Sequence, residues 1–75
     1  MGKLHISNNI RKLRFHNNEM TQQQLAEKAS VTRQTIVALE QGKYSPSLEL
    51  AFRIALVFNT PLEEIFFIEN KGELI

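Results

Sequence analysis

Apolar positions recur at three- and four-residue steps along most of this chain, and polar punctuation cuts that rhythm into short segments. Ile10 and Leu13 share a face with Arg14 before Asn17 and Asn18 interrupt. Leu25 and Ala29 make the next apolar step, and Ile36 and Leu39 the one after. The longest stripe reads Leu48, Ala51, Ile54, Ala55 and Phe58, with Leu50, Phe52 and Val57 off it. Five helices follow from this pattern, and each has a start signal. Ser7 can cap the first. Thr21 and Gln24 fit a capping box, in which the threonine takes a backbone N–H and the glutamine reaches back, opening a helix over 22–29. Thr32 opens a third helix over 33–41, and Gly42 supplies the left-handed residue that ends it. Ser47 caps the fourth helix and Asn59 stops it. Thr60, Pro61 and Glu63 then place a cap, a proline at the first helical position and an acid in the first turn, predicting a brief fifth helix over 61–66.

The two ends break the helical rhythm. Leu4 and Ile6 alternate with Lys3 and His5 as in a strand, while Phe67 onward has no helical period and Gly72 interrupts it. The expected fold class is all-α: five short helices in one domain over 1–75, with a short antiparallel strand pair drawn from the two termini.

Composition narrows the chemistry. With 75 residues there is room for one domain, burying about 60–65% of its unfolded surface. The absence of Cys excludes a disulfide framework, thiolate catalysis and Cys-ligated zinc. His5 and His16 lack a spaced second ligand, so no metal is expected. No nucleophile–base pair or phosphate-cradling glycine loop is present either, and the expectation is no enzyme, no cofactor and no small-molecule ligand. The longest apolar run, 54–58, is far short of the roughly 20 residues of a membrane span. A soluble cytoplasmic protein with no membrane partner is expected.

The net charge of +1 conceals an asymmetry. Seven basic residues and three Glu precede Tyr44, a balance of +4, whereas two basic residues and five Glu follow, a balance of −3. One face of such a chain is suited to a polyanion.

Residues 22–41 give that face a geometry. Leu25, Ala29, Val31, Ile36 and Leu39 supply contacts between two short helices, and Ala26 is small where the second must pass close to the first. Arg33, Gln34 and Thr35 then stand outward at the start of the second helix. This is the grammar of a helix-turn-helix, whose second helix brings its N-terminal residues to base edges in the DNA major groove.

The chain resembles the Cro/CI-type (XRE) family of helix-turn-helix regulators from about residue 10 to 66. The resemblance is carried by Ile10-Arg-Lys-Leu-Arg14, Met20-Thr-Gln-Gln-Gln-Leu-Ala-Glu27, Val31-Thr-Arg-Gln-Thr-Ile36, Leu39-Glu-Gln-Gly42, Pro46-Ser-Leu48 and Pro61-Leu-Glu-Glu-Ile65. It implies a lambda-repressor-like fold and a homodimer on operator DNA, mostly acting as a repressor. Ser30 departs from the family, which usually places Gly at this turn position. A left-handed Ser there costs about 1 kcal/mol.

Chemistry and motif position together assign the roles. Arg33 and Gln34 are the expected base readers, Arg suiting guanine O6/N7 and Gln suiting adenine N6/N7. Thr35 is a further base contact, and Val37 would meet a thymine methyl. Gln22, Thr32, Lys43 and Tyr44 are phosphate candidates. Arg14 and Glu40 match the family's internal salt bridge and are assigned to structure. Arg11, Lys12, Gln23 and Gln24 are read as solvated. Leu62, Ile65, Phe66, Phe67 and Ile68 exceed the needs of one small core, and the segment 61–75 is expected to supply the dimer surface. The rival reading is a protein-interaction module of the same fold without operator binding; its weakness is that it has no use for an outward Arg33, Gln34 and Lys43.

Overall fold

The computed structural model describes residues 5–43 and 45–69. In chain order the elements are β1 (Ile6–Asn8), α1 (Ile10–His16), α2 (Gln22–Ala29), α3 (Arg33–Glu40), α4 (Leu48–Phe58), α5 (Leu62–Ile65) and β2 (Phe66–Ile68). Helices surround one core built from Ile10, Met20, Leu25, Ala26, Ala29, Ile36, Leu39, Leu50, Ile54, Phe58 and Ile65. β1 and β2 pair antiparallel, with Ile6 opposite Ile68, Ser7 opposite Phe67 and Asn8 opposite Phe66. This joins the two ends of the described chain. Leu4 lies outside the described residues, so its expected part in that pairing does too.

Local chemistry explains most boundaries. The Thr21 hydroxyl accepts from the Gln24 N–H at 3.0 Å while the Gln24 side chain accepts from the Thr21 N–H at 2.8 Å, a complete capping box. The hydroxyls of Thr32 and Ser47 each accept a backbone N–H three residues on. Helix ends share one device. After α2, α3 and α4 the chain turns through Ser30, Gly42 and Asn59, with φ of 60°, 71° and 49°. In each case the next residue's N–H reaches back five positions, Val31 to Ala26, Lys43 to Ala38 and Thr60 to Ala55. These are Schellman closures, which satisfy carbonyls the helix leaves open.

Three expectations are corrected. Ser7 does not cap α1: it lies within β1, two residues before the Asn9 cap position, and the Asn8 side-chain oxygen accepts the Ile10 N–H at 3.2 Å. Thr60 does not cap α5; its hydroxyl donates to the Phe58 carbonyl, Pro61 takes the cap position, and Phe66 belongs to β2. The stripe on α4 is rotated. Leu50 is buried and Leu48 is 69% exposed, while Ala51, Ile54 and Phe58 face the core as expected. Nine of the eleven residues of α4 are apolar, so several phases satisfy a helical period and only tertiary packing selects one.

Candidate nucleic-acid interface

The helix pair α2–α3 is held by side chains with no exposure: Leu25, Ala26, Ala29 and Ile36, with Leu39 at 1%. Ala26 lets the backbones approach, and left-handed Ser30 turns the chain so that Thr32 can cap α3. The first turn of α3 is thereby fixed with Arg33 and Gln34 exposed and Ile36 in the core.

A second tie locks the other end of α3. The Arg14 guanidinium meets the Glu40 carboxylate by two hydrogen bonds, Nε to Oε2 at 2.7 Å and Nη2 to Oε1 at 3.0 Å. Its remaining Nη1 donates to the Met20 carbonyl at 2.8 Å. The two side chains are only 12% and 10% exposed. Fork-to-fork pairing of this kind gives direction as well as attraction, and it binds α1 and the loop before α2 to the last residue of α3. Asn8, which the sequence reading did not single out, adds to this by donating to the Leu39 carbonyl at 2.8 Å. An Asn before a helix is an ordinary cap signal, but here it stands in a row of three cap-competent residues, Ser7, Asn8 and Asn9.

From that lock a polar chain runs to the surface. Gln22 donates its amide to Glu40 Oε1 at 3.3 Å, which turns its oxygen toward Arg33, whose Nη2 donates to it at 3.5 Å. Arg14, Glu40, Gln22 and Arg33 therefore form one connected series, enclosed at its inner end and exposed at its outer one. Gln22, Arg33 and Val37 also line a single broad concavity of about 910 Å³, with Arg14 and Glu40 among its other lining residues. Its remaining walls include Arg11, Phe15, Glu19 and Gln23, to none of which the sequence assigns a DNA contact.

Among the described residues, Gln34, Thr32, Thr35 and Lys43 do not line this concavity. Gln34 is exposed and its amide makes no hydrogen bond among the described residues. Thr35 is half-buried, its hydroxyl 3.0 Å from that of Thr32, so both hydroxyls are engaged at the cap. Lys43 is exposed just past the far end of α3, beside residues of β1 and Glu69. Tyr44 lies outside the described residues. Of the residues assigned to the dimer surface, Ile65 is fully buried in the core and cannot face a second molecule; Leu62 and Phe66 are half-buried, and Phe67 and Ile68 are 40% and 42% exposed.

An exposed, polar first turn on the second helix of a buried, capped helix pair defines the class: a helix-turn-helix protein. Residues 10–65 match the helix-turn-helix family model. The chain belongs to this family, in its Cro/CI (XRE) branch. An uncharacterized helix-turn-helix-type transcriptional regulator of Methanocaldococcus jannaschii is 54% identical over 56 residues, covering 75% of this chain and 82% of that one. Another from Methanothermobacter thermautotrophicus is 51% identical over 63 residues, covering 80% and 91%. Among solved structures, a candidate DNA-binding protein from Bacteroides fragilis superposes with a TM-score of 0.71 at 22% identity, covering 83% of this chain and 98% of that one; at that identity the likeness is one of fold. No helix among the described residues is long and apolar enough to cross a membrane.

Proposed function

We propose that this protein is a sequence-specific DNA-binding transcriptional regulator that acts as a homodimeric repressor in the cytoplasm. The coarser part, a DNA-binding regulator and not an enzyme, follows from the family and from the names its relatives carry. The finer part rests above all on one observation: the first turn of α3 presents Arg33 and Gln34 outward, and among the described residues Gln34 has no hydrogen-bond partner and Arg33 makes a 3.5 Å contact to Gln22.

In this reading α3 enters the major groove with Arg33 and Gln34 on base edges and Val37 against a thymine methyl. Gln22 holds a phosphate at the start of α2, where free backbone N–H groups also point outward, and Lys43 holds another beyond α3. Thr32 and Thr35 serve chiefly as the cap of α3, which keeps Arg33 and Gln34 in register, and meet DNA through what hydrogen-bonding capacity the cap leaves. Two copies related by a two-fold axis place their α3 helices in successive major grooves of an inverted repeat, about 34 Å apart. Occupancy of such a site blocks transcription by exclusion.

The role split is directly testable by binding to matched and singly mismatched duplexes. Arg33→Ala is expected to lose about 1–3 kcal/mol and to relax preference at one base pair, whereas Lys43→Ala weakens every sequence alike. Equal losses on every sequence for both variants would contradict the assignment of Arg33 to base reading.

A further inference from the structure

Phe15 is a large apolar side chain left 54% exposed, and it does not belong to the core. One turn earlier on α1 stands Arg11, also exposed, whose guanidinium carbon lies 5.8 Å over the Phe15 ring centroid. A ring face gives a planar cation a resting place without neutralising it. The ion pairs among the described residues are Arg14–Glu40 and Arg53–Glu49, so no carboxylate there lies within ion-pair distance of Arg11.

Position sets Arg11 apart from its neighbour. Arg11 and Phe15 line the concavity that also holds Gln22, Arg33 and Val37. Lys12, equally charged and exposed, lines only the shallower depression beyond them, with His16. Arg11 and Phe15, with Asn8, line both and so lie between the two. The acids of the larger concavity are Glu19 and Glu40; Glu40 is taken up by Arg14, which leaves Glu19 against Arg11 and Arg33 and an excess of positive charge.

We infer that Arg11 is a further phosphate-binding residue of the DNA interface and that Phe15 is its positioning residue, so that α1 grips the DNA backbone alongside the groove that α3 enters. The inference rests on the DNA-binding reading above. Stacking on Phe15 keeps the Arg11 side chain over the concavity, and less of its freedom is lost when a phosphate arrives. A phosphate contact carries no sequence information, so Arg11 adds affinity and register but no base preference.

The test is the salt dependence of binding by the full chain to a duplex recovered from a randomised pool, with thermal unfolding of each variant as the folding check. Each phosphate neutralised contributes about 0.9 to the slope of log K against log salt. Arg11→Ala removes one phosphate contact from each protomer of the dimer, and is expected to lower that slope by about 1.8 and to weaken matched and mismatched duplexes alike. Phe15→Ala is expected to weaken binding less, and to have no further effect once Arg11 is already Ala. Lys12→Ala leaves the slope unchanged. A wild-type slope in Arg11→Ala, or an equal fall in Lys12→Ala, overturns the inference; so does an undiminished Phe15→Ala effect in the Arg11→Ala background. If Arg33→Ala and Lys43→Ala weaken binding while Arg11→Ala does not, DNA binding stands and only this inference falls. If the unaltered chain binds no duplex, the DNA-binding reading itself fails and takes this one with it.

Discussion

Ser30 and Gly42 occupy the same kind of left-handed position, at φ of 60° and 71°, with different means. Gly42 adopts it freely, and a Cβ added there would meet nothing within 4 Å. Gly42→Ala therefore tests backbone strain alone and is expected to lose about 1 kcal/mol in urea unfolding. Ser30 carries that strain now. Ser30→Gly relieves about 1–2 kcal/mol of it against an added backbone entropy of about 0.5–1 kcal/mol, so a net gain of about 0.5–1 kcal/mol and a higher Tm are expected. A lower Tm would mean that the serine side chain contributes something its geometry does not show. The Arg14–Glu40 pair carries higher stakes because it is nearly enclosed. Arg14→Ala strands the Glu40 charge and is expected to cost about 3–5 kcal/mol, while an apolar replacement of both partners recovers most of that loss. Sequence chemistry exposed many such residues, since Thr21, Thr32, Ser47 and Gly42 act through their immediate neighbours. It misplaced Ser7 and Thr60, where the neighbouring Asn8 side chain takes the helix N–H or a nearby carbonyl takes the hydroxyl, and a linear reading cannot rank the competitors.

Among the elements, α2 and α3 were legible because each carries a narrow apolar stripe between clear caps. α4 was not, because its nine apolar residues satisfy more than one phase. The phase that packing selects turns Leu48, Phe52 and Leu56 outward at four-residue spacing, with exposures of 69%, 52% and 81%. Single exposed apolar residues are ordinary, but a row along one helix marks a surface that meets a partner. The two-fold arrangement proposed above would seat its second copy on this row. Phe52→Glu and Leu56→Glu are expected to shift the protein toward monomer in sedimentation without lowering the stability of the fold, because neither side chain joins the core. Unchanged sedimentation at all concentrations would move the dimer surface to Phe67 and Ile68 or remove it altogether. The residues of the DNA face were also partly hidden. Arg11 and Phe15 share a concavity with Arg33, and the Arg14–Glu40 pair and the Asn8 contact with Leu39 tie the chain around α1 to the end of α3; no local pattern in the chain announces those long-range ties.

At the scale of the whole molecule, rigidity and exposure are divided between two ends of one polar series. Arg14 and Glu40 are enclosed and fully engaged, Gln22 is shared, and Arg33 is held only loosely at the surface. Such a gradient suits a reader of DNA, since the scaffold fixes where the side chain starts and leaves its tip able to exchange one partner for a base. The joined β1 and β2 and the buried Ile65 anchor the far side, so α3 is supported along its length by the rest of the fold. The central claim is that this face reads sequence as a symmetric dimer, and selection from a randomised DNA pool, repeated at two salt concentrations, tests it most directly. The account predicts enrichment of an inverted repeat with half-sites about one helical turn apart, and a preference that survives as salt rises. Binding that enriches no sequence and fades with salt would contradict it, and would leave a fold that holds phosphates without reading bases.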